Sequence, residues 1–237
     1  MIKGIYTSAT AMRHGINRQE ITAANLANAG TSGYKRDQLF VEELVNAKTA
    51  DSDPLRINTR QWTDFTPGPM NPTGDNFDLA LQSQGFFAVS DGQNEFYTRS
   101  GHFERSTDGT LVDSMGRAVQ GEGGSIAVPQ GLITVSSDGQ VSVNGAVIDR
   151  LRVVNFENPQ TLRHSDGSAF ITAPETTPAV PVTNPIVRQG FLEMSNVNSV
   201  REMVDMISTA RGYEINARVL TAQDEALKHT VNEIGRV

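Results

Sequence analysis

Residues 203–234 read MVDMISTARGYEINARVLTAQDEALKHTVNEI, and small or apolar side chains recur there at alternating steps of three and four. This spacing places the repeated residues on one face of a helix, as in the seam of a coiled coil. A second apolar stripe, from Val200 to Val219, runs beside the seam. A helix with two apolar stripes predicts contacts on more than one side. The seam residues are Met203, Met206, Ala210, Tyr213, Ala217, Leu220, Asp224, Leu227, Val231 and Ile234.

The first 29 residues repeat this pattern at the other end of the chain. They contain no proline, and Gly30 and Gly33 follow them as a plausible helix stop. At 1.5 Å per residue the predicted helix is roughly 40 Å long. Its seam residues are Ile2, Ile5, Ala9, Met12, Ile16, Gln19, Ala23 and Leu26.

The middle of the chain has the pattern of short strands joined by tight turns. Short apolar or alternating runs such as residues 86–89 recur, and Asx-Gly pairs separate many of them. Such pairs favour the positive φ angles of two-residue hairpin turns. They therefore predict antiparallel meanders. The pairs are Asp91-Gly92, Asp108-Gly109, Asp138-Gly139, Asn144-Gly145 and Asp166-Gly167.

Together these patterns predict an α+β fold. We expect N- and C-terminal coiled-coil-like helices paired into one helical domain, and an antiparallel all-β middle domain. Residues rich in Pro, Thr, Asn and Asp on either side of the middle indicate extended connectors. The expected segments are an N-terminal helix at 1–29, a connector at 30–76, a β-rich domain at 77–172, a return connector at 173–190 and a C-terminal helix at 191–237.

Composition argues against several classes of protein. The formal charge of −7 disfavours nucleic acid as a partner, because binding it needs a basic face that displaces counterions. The chain has no cysteine, which removes disulfides and thiolate metal sites. No apolar run approaches the roughly 18 residues that span a bilayer, so we do not expect membrane insertion. The N-terminus also lacks the pattern of a cleaved secretory signal.

No motif predicts catalysis. The histidines, His14, His102, His164 and His229, lack the spacing of a zinc site, and no Gly-x-Ser-x-Gly elbow is present. The glycine-rich residues 121–124 lack the lysine of a phosphate-binding loop. We therefore expect no catalytic residues, no cofactor and no bound metal, and we do not expect an enzyme.

Both ends of the chain resemble the bacterial flagellar axial proteins, specifically the basal-body rod group. Residues 24–35 read ANLANAGTSGYK, and residues 190–216 read GFLEMSNVNSVREMVDMISTARGYEIN. The first is similar to the family's Asn-Leu-Ala-Asn and Thr-x-Gly-Phe-Lys series, with Tyr34 in place of Phe. The second is similar to its Ser-Asn-Val-Asn, Glu-Met-Val and Arg-x-Tyr-Glu-x-Asn series. Residues 64–69 and 79–89 resemble the segment that enters the family's β domain.

The resemblance implies a structural subunit of the flagellar rod. In the family the terminal helices form the inner coiled-coil layer of a hollow drive shaft, and the β domain forms an outer layer. The implied partners are other copies, other rod proteins and the flagellar type III export apparatus. The implied location is the periplasmic rod of the basal body, reached without a cleaved signal peptide. The length and the connector before Asp64 look more like a proximal-rod member than a distal-rod member.

The candidate site is an assembly interface. Seam side chains are expected to fill knobs-into-holes contacts, and short polar side chains at the helix end to bond unpaired backbone groups. Arg211 and Glu214 are close enough on one helix to pair with each other or with a neighbour. The candidate residues are Ile5, Met12, Ile16, Asn25, Leu26, Asn28, Met203, Met206, Arg211, Tyr213, Glu214, Leu220 and Leu227.

One alternative of a different class remains open from the residues themselves. The turn-rich middle also fits a soluble module whose β domain binds a ligand and whose helices only dimerise. A discrete dimer with ordered ends would favour that alternative. Monomers that polymerise only with partners would favour the rod.

We predict that Leu220→Asp blocks assembly and leaves the β domain folded, because a buried carboxylate in an apolar seam is costly to desolvate. Swimming in soft agar measures assembly, and circular dichroism of the purified variant measures folding. Normal motility of the variant would contradict a buried seam at Leu220.

Overall fold

The computed structural model describes residues 2–42, 58–165 and 167–234, and it divides the chain into two compact units. The helical unit comprises Met1–Ala27, Asp37–Asp64 and Asn198–Val237. The β unit comprises Asn28–Arg36 and Phe65–Val197. The fold is α+β, as predicted, and the strand pairs found in the described residues are antiparallel.

Two long helices and one hairpin build the helical unit. The helices contact each other along their length, and the hairpin strands pair antiparallel from Asp37 opposite Thr63 onward. Asn198 caps the second helix, because its Oδ1 accepts a hydrogen bond from the Arg201 amide at 3.0 Å. The elements are α1 (Ile2–Ala27), β1 (Asp37–Glu42), β2 (Asn58–Thr63) and α2 (Ser199–Ile234).

Short strands and one 3₁₀ turn at Pro159–Thr161 build the β unit. The strands are β3 (Met70–Pro72), β4 (Leu79–Leu81), β5 (Phe86–Ser90), β6 (Glu95–Thr98), β7 (Phe103–Arg105), β8 (Leu111–Asp113), β9 (Ala118–Gly121), β10 (Gly124–Ser125), β11 (Ile133–Val135), β12 (Gln140–Val143), β13 (Ala146–Arg150), β14 (Val153–Asn155), β15 (Arg163–His164), β16 (Ala169–Ile171), β17 (Val180–Pro181), β18 (Val187–Gln189) and β19 (Phe191–Glu193).

The largest sheet has the path β15-β16-β6-β5-β9-β8-β7, with β10 beside β9, β14 beside β5 and β17 beside β14. Strands β11, β12 and β13 form a second sheet, and β18–β4 and β19–β3 form pairs. Strand β5 lies between two apolar clusters: Phe87 and Val89 pack into one, and Phe86 and Ala88 into the other. Burial on both faces explains why its sequence is apolar at successive positions rather than alternating.

Four of the predicted turns join neighbouring strands. Asp91-Gly92, for example, connects β5 to β6, and Asn144-Gly145 connects β12 to β13 with φ angles of 50° and 83°. Positive φ at both positions fits a type I′ turn, which matches the twist of the paired strands. In the fifth pair, Gly167 has φ 55°, and Asp166 lies outside the described residues.

The structure corrects three of the expected segments. The C-terminal helix begins at Ser199 rather than near residue 191, because Phe191–Glu193 is a strand hydrogen-bonded to β3. The expected connectors also contain strands: β1, β2 and β3 lie within 30–76, and β17 and β18 lie within 173–190. Polar and proline-rich composition predicted loops there, but pairing with distant strands overrides local preference. Residues 43–57 of the expected connector, Met1 and 235–237 lie outside the described residues.

The segment after α1 is fixed in the β unit at Gly33. Its amide donates to the Glu193 carbonyl at 2.7 Å, and its φ is +68°. A Cβ at this position would overlap the backbone of Arg99 and Ser100. Only glycine satisfies both the left-handed backbone and this close approach.

We predict that Gly33→Ala lowers the free energy of unfolding by about 2–5 kcal/mol, the combined cost of a left-handed alanine and an overpacked contact. Gly30→Ala is the matched control, because the position is exposed and open space surrounds its Cβ direction. Chemical denaturation followed by circular dichroism measures both. Equal stability of the two variants would contradict the close approach at Gly33.

Candidate assembly interface

The two helices of the helical unit run antiparallel. Arg18 Nη2 lies 3.8 Å from Asp205 Oδ1, and Asn25 Nδ2 donates to Glu202 Oε2 at 3.3 Å. As the residue number rises along α1, it falls along α2. These contacts set the register of the pair.

Two glycines of α1 face α2. A Cβ added to Gly4 would lie 2.8 Å from Gln223 Nε2, the end of a flexible side chain, and one added to Gly15 would lie 3.9 Å from the Thr209 methyl group, an ordinary contact distance. Among the α1 residues whose side chains are described, the buried ones are small or polar: Ser8, Thr22 and Asn25.

The α1 residues with described contacts to α2, Gly4, Gly15, Arg18 and Asn25, do not belong to the predicted apolar stripe. Of that stripe, Ile5, Met12 and Leu26 are partly covered, whereas Ile16 is 44% exposed. Part of the predicted stripe therefore remains at the surface of the subunit.

The candidate residues of α2 divide in the same way. Met206, Leu220 and Leu227 are partly covered, whereas Met203 is 47% and Tyr213 37% exposed. The second predicted stripe is exposed along its length, and its members are Val200, Val204, Ile207, Ile215 and Val219. Within the described residues, an outward apolar face thus extends along α2.

Asn25 joins α1 to the hairpin. Its side chain accepts a hydrogen bond from the Asp37 amide at 2.9 Å and donates to the Asp37 carbonyl at 2.8 Å. The Asp37 carboxylate in turn accepts from Thr63 Oγ1 at 2.6 Å and Gln61 Nε2 at 2.8 Å. Buried amides with paired donors and acceptors are stable and orient their neighbours. Asn25 therefore bonds a neighbouring backbone, which is one of the two roles expected for it.

The remaining polar candidates lie apart from this junction. Asn28 accepts a hydrogen bond from Thr31 Oγ1 at 3.3 Å within the β unit. Arg211 and Glu214 are both exposed, and no ion pair joins them in the described part of α2.

Sequence reasoning assigned no role to Lys35, which is the centre of a buried charged cluster in the β unit. Its Nζ donates to Glu193 Oε1 at 2.6 Å and to the Thr66 carbonyl at 2.7 Å. Arg99 Nε lies 2.9 Å from the other oxygen of Glu193. The side chains of all three charged residues are at most 5% exposed. In the sequence, the only indication of this cluster is a lysine within a motif of mostly small and polar residues. Its partner, Glu193, lies 158 positions later in the chain.

Arg99 anchors the cluster to the strands. Its guanidinium donates to the Gly85 carbonyl at 2.6 Å and to the Ser83 carbonyl at 2.9 Å. Burial lowers the pKa of Arg99 from its usual value, and the Glu193 carboxylate opposes that shift. Buried charges of this kind are tolerated only with partners. The cluster therefore ties the segment before β1 to the segment before α2.

A cleft of about 500 Å³ opens beside this cluster, within the β unit. Phe65, Phe86 and Phe156 form apolar parts of its wall, and Lys35 and Arg99 form part of its lining. The cationic groups already bond carbonyls and Glu193, so the cleft does not present them as free ligand-binding groups.

In the described ranges, no group of three or more His, Asp or Glu side chains is arranged to hold a metal ion. His102 Nδ1 instead lies 2.8 Å from Asp78 Oδ1. No described helix is both long and apolar enough to cross a bilayer.

Hairpin β1–β2 also carries an aromatic pair that the sequence did not single out. The Phe40 and Trp62 rings are 6.2 Å apart and nearly perpendicular, and both side chains are exposed. This edge-to-face geometry is a favourable one.

Three protein families match this chain. Residues 5–35 match "Flagella basal body rod protein", residues 80–143 match "Flagellar hook protein FlgE/F/G D1 domain", and residues 188–233 match "Flagellar basal body rod FlgEFG protein C-terminal". The flagellar basal-body rod protein FlgF of Caulobacter vibrioides is 34% identical over 96% of this chain and 98% of its own. FlgF of Salmonella typhimurium is 36% identical over 95% of each chain. The flagellar basal-body rod protein FlgG of Bacillus subtilis is 27% identical over 98% of this chain and 99% of its own.

We predict that Lys35→Met destabilises the protein by about 3–5 kcal/mol, because it leaves the buried Glu193 carboxylate with one cationic partner instead of two. Arg163→Met is the matched control. Its ion pair with Glu175 is more than half exposed and should contribute little. Urea denaturation measures both variants, and equal midpoints would contradict a structural role for the buried cluster.

Proposed function

Because the chain belongs to the flagellar basal-body rod protein family, it is a structural subunit of the bacterial flagellar basal-body rod, and we propose that its place is the proximal rod. Identities of 34–36% to three FlgF relatives, against 27–30% to three FlgG relatives, support this place, and two further FlgF relatives are 28% and 26% identical. The resemblance to the rod family implies that FlgF is its proximal-rod member and FlgG its distal-rod member. A distal-rod position is the alternative.

Assembly with neighbouring subunits follows from the apolar surface that the helical unit leaves open. The observation that carries this proposal is the exposure of Met203, Ile207 and Ile215, at 47%, 55% and 63%. Burying apolar surface stabilises by roughly 25 cal/mol per Å², so an uncovered stripe on a long helix favours association. The candidate residues other than Asn25 remain our proposal for the contacts between subunits, with the exposed ones, Ile16, Met203, Arg211, Tyr213 and Glu214, at the centre. Asn25 is buried and bonded within its own subunit, so it is not part of this surface.

In this proposal the helical units form the inner coiled-coil layer of a hollow drive shaft, and the β units form the outer layer. Antiparallel packing of α1 on α2 supports it, since each subunit then contributes a preformed two-helix element. Rotation of the shaft would be transmitted through side-chain contacts between these elements.

We further propose that the chain reaches the periplasmic rod through the flagellar type III export apparatus without cleavage of a signal peptide. The similarity of the chain to flagellar basal-body rod proteins supports this route. Its partners there would be other copies and other rod proteins. The soluble ligand-binding alternative has less support, because the similarity to rod proteins extends over nearly the whole chain.

The proximal position is tested in a strain that lacks the distal-rod subunit. We predict that basal bodies purified from this strain still contain the chain, because proximal subunits assemble before distal ones. Quantitative mass spectrometry of wild-type and mutant basal bodies measures it, with the membrane-ring proteins as the internal standard. Loss of the chain in the mutant would favour the distal rod. Absence of the chain from wild-type basal bodies would contradict the rod function itself.

A further inference from the structure

Each helix of the helical unit has an outer face, which points away from the contact between α1 and α2. On α1 this outer face contains Tyr6, Arg13, Ile16 and Glu20, which follow one another at helical spacing and are all exposed. The inner face of α1, at Gly4, Ser8, Gly15 and Thr22, lies on the other side of the helix.

The outer face of α2 has the same character. Val204, Ile207, Ile215, Arg218 and Glu225 are exposed at helical spacing, opposite the face that packs on α1. One subunit therefore offers two unlike outward faces, one on each helix. A contact between unlike faces is heterologous, and such contacts continue from copy to copy unless a rotation closes them.

The outer faces also carry matching charges. Arg13 and Glu20 are two helical turns apart on α1, about 10.5 Å along the axis, and Arg218 and Glu225 have the same spacing on α2. When the two helices run antiparallel, a single register places Arg13 opposite Glu225 and Glu20 opposite Arg218. Within the described residues none of these four side chains forms an ion pair inside the subunit.

The same register brings apolar positions together. It places Ile16 opposite Ala222 and Ala23 opposite Ile215, all of which are exposed in the single subunit. Small side chains opposite isoleucines allow close approach without leaving a cavity. The charged pairs would then flank an apolar centre and define its register.

We propose that the outer face of α1 docks on the outer face of α2 of a second copy of this chain, in this register. The inference rests on the proposed rod function and names the contact between its subunits. The Arg18–Asp205 pair fixes the level of α1 against α2 of its own subunit. In the proposed contact Glu20 of α1 lies level with Arg218 of the second copy. The α2 helix of the second copy is therefore displaced by about 20 Å along the helix axis relative to the α2 helix of the first. Adjacent copies are therefore staggered by about 20 Å along the shaft.

Disulfide cross-linking tests the register, because the native chain contains no cysteine. We expect Ile16→Cys together with Ala222→Cys to give cross-linked oligomers in oxidised basal bodies, because the two positions face each other between copies. The control pairs Ile16→Cys with Leu132→Cys, an exposed position of the β unit. It should remain monomeric. Because the two outer faces point in opposite directions, residues 16 and 222 cannot close a disulfide within one subunit.

Charge exchange tests the same register independently. Glu20→Arg and Arg218→Glu should each reduce the amount of the chain in basal bodies at least several-fold, and the double variant should restore it. Glu122→Arg, an exposed reversal in the β unit, is the control and should have no effect.

The outcomes separate this contact from the rod function. If the cysteine variant is present in basal bodies but residues 16 and 222 do not cross-link, or if the double charge exchange is no better than either single change, the contact is wrong. A cross-link from residue 16 to a different rod protein would also overturn it. Absence of the unaltered chain from basal bodies would instead contradict the proposed function.

Discussion

Antiparallel packing of α1 on α2 is the constraint on which the rest of the helical unit depends. The contacts of Arg18 with Asp205 and of Asn25 with Glu202 set its register, and Gly4 and Gly15 face Gln223 and Thr209. Ile16 and Ile215 remain at the surface. The helix pair therefore leaves apolar surface that a neighbour can cover.

The β unit is organised by buried charge as well as by its apolar clusters. Lys35, Glu193 and Arg99 come from three distant parts of the chain and are joined by short contacts away from water. Removing one partner would leave another charge inadequately paired, so the cluster requires all three segments to be in place together. The motif around residue 33 contributes Lys35 to this buried cluster, in addition to identifying the family.

Several features followed from sequence alone because their causes are local. Asx-Gly pairs predicted the turns of the meander, since the glycine of each pair adopts the positive φ that glycine permits without steric cost. Helical spacing predicted α1 to within two residues at each end and most of α2. The strands from Met70 to Pro72 and from Phe191 to Glu193 were missed, because each is three residues long and forms only by pairing with the other.

The amino-acid sequence by itself determined the α+β class, the terminal helices, the turn-rich middle and the resemblance to the rod family. Only the tertiary structure decided which face of each helix is inside. Periodicity identifies apolar stripes, but it does not say which of them faces the partner helix and which remains at the surface. That choice depends on the contacts of the folded chain, such as Arg18 with Asp205 and Asn25 with Glu202. The same reason applies to Lys35, whose role depends on Glu193 and Arg99, two residues that only the folded chain brings together.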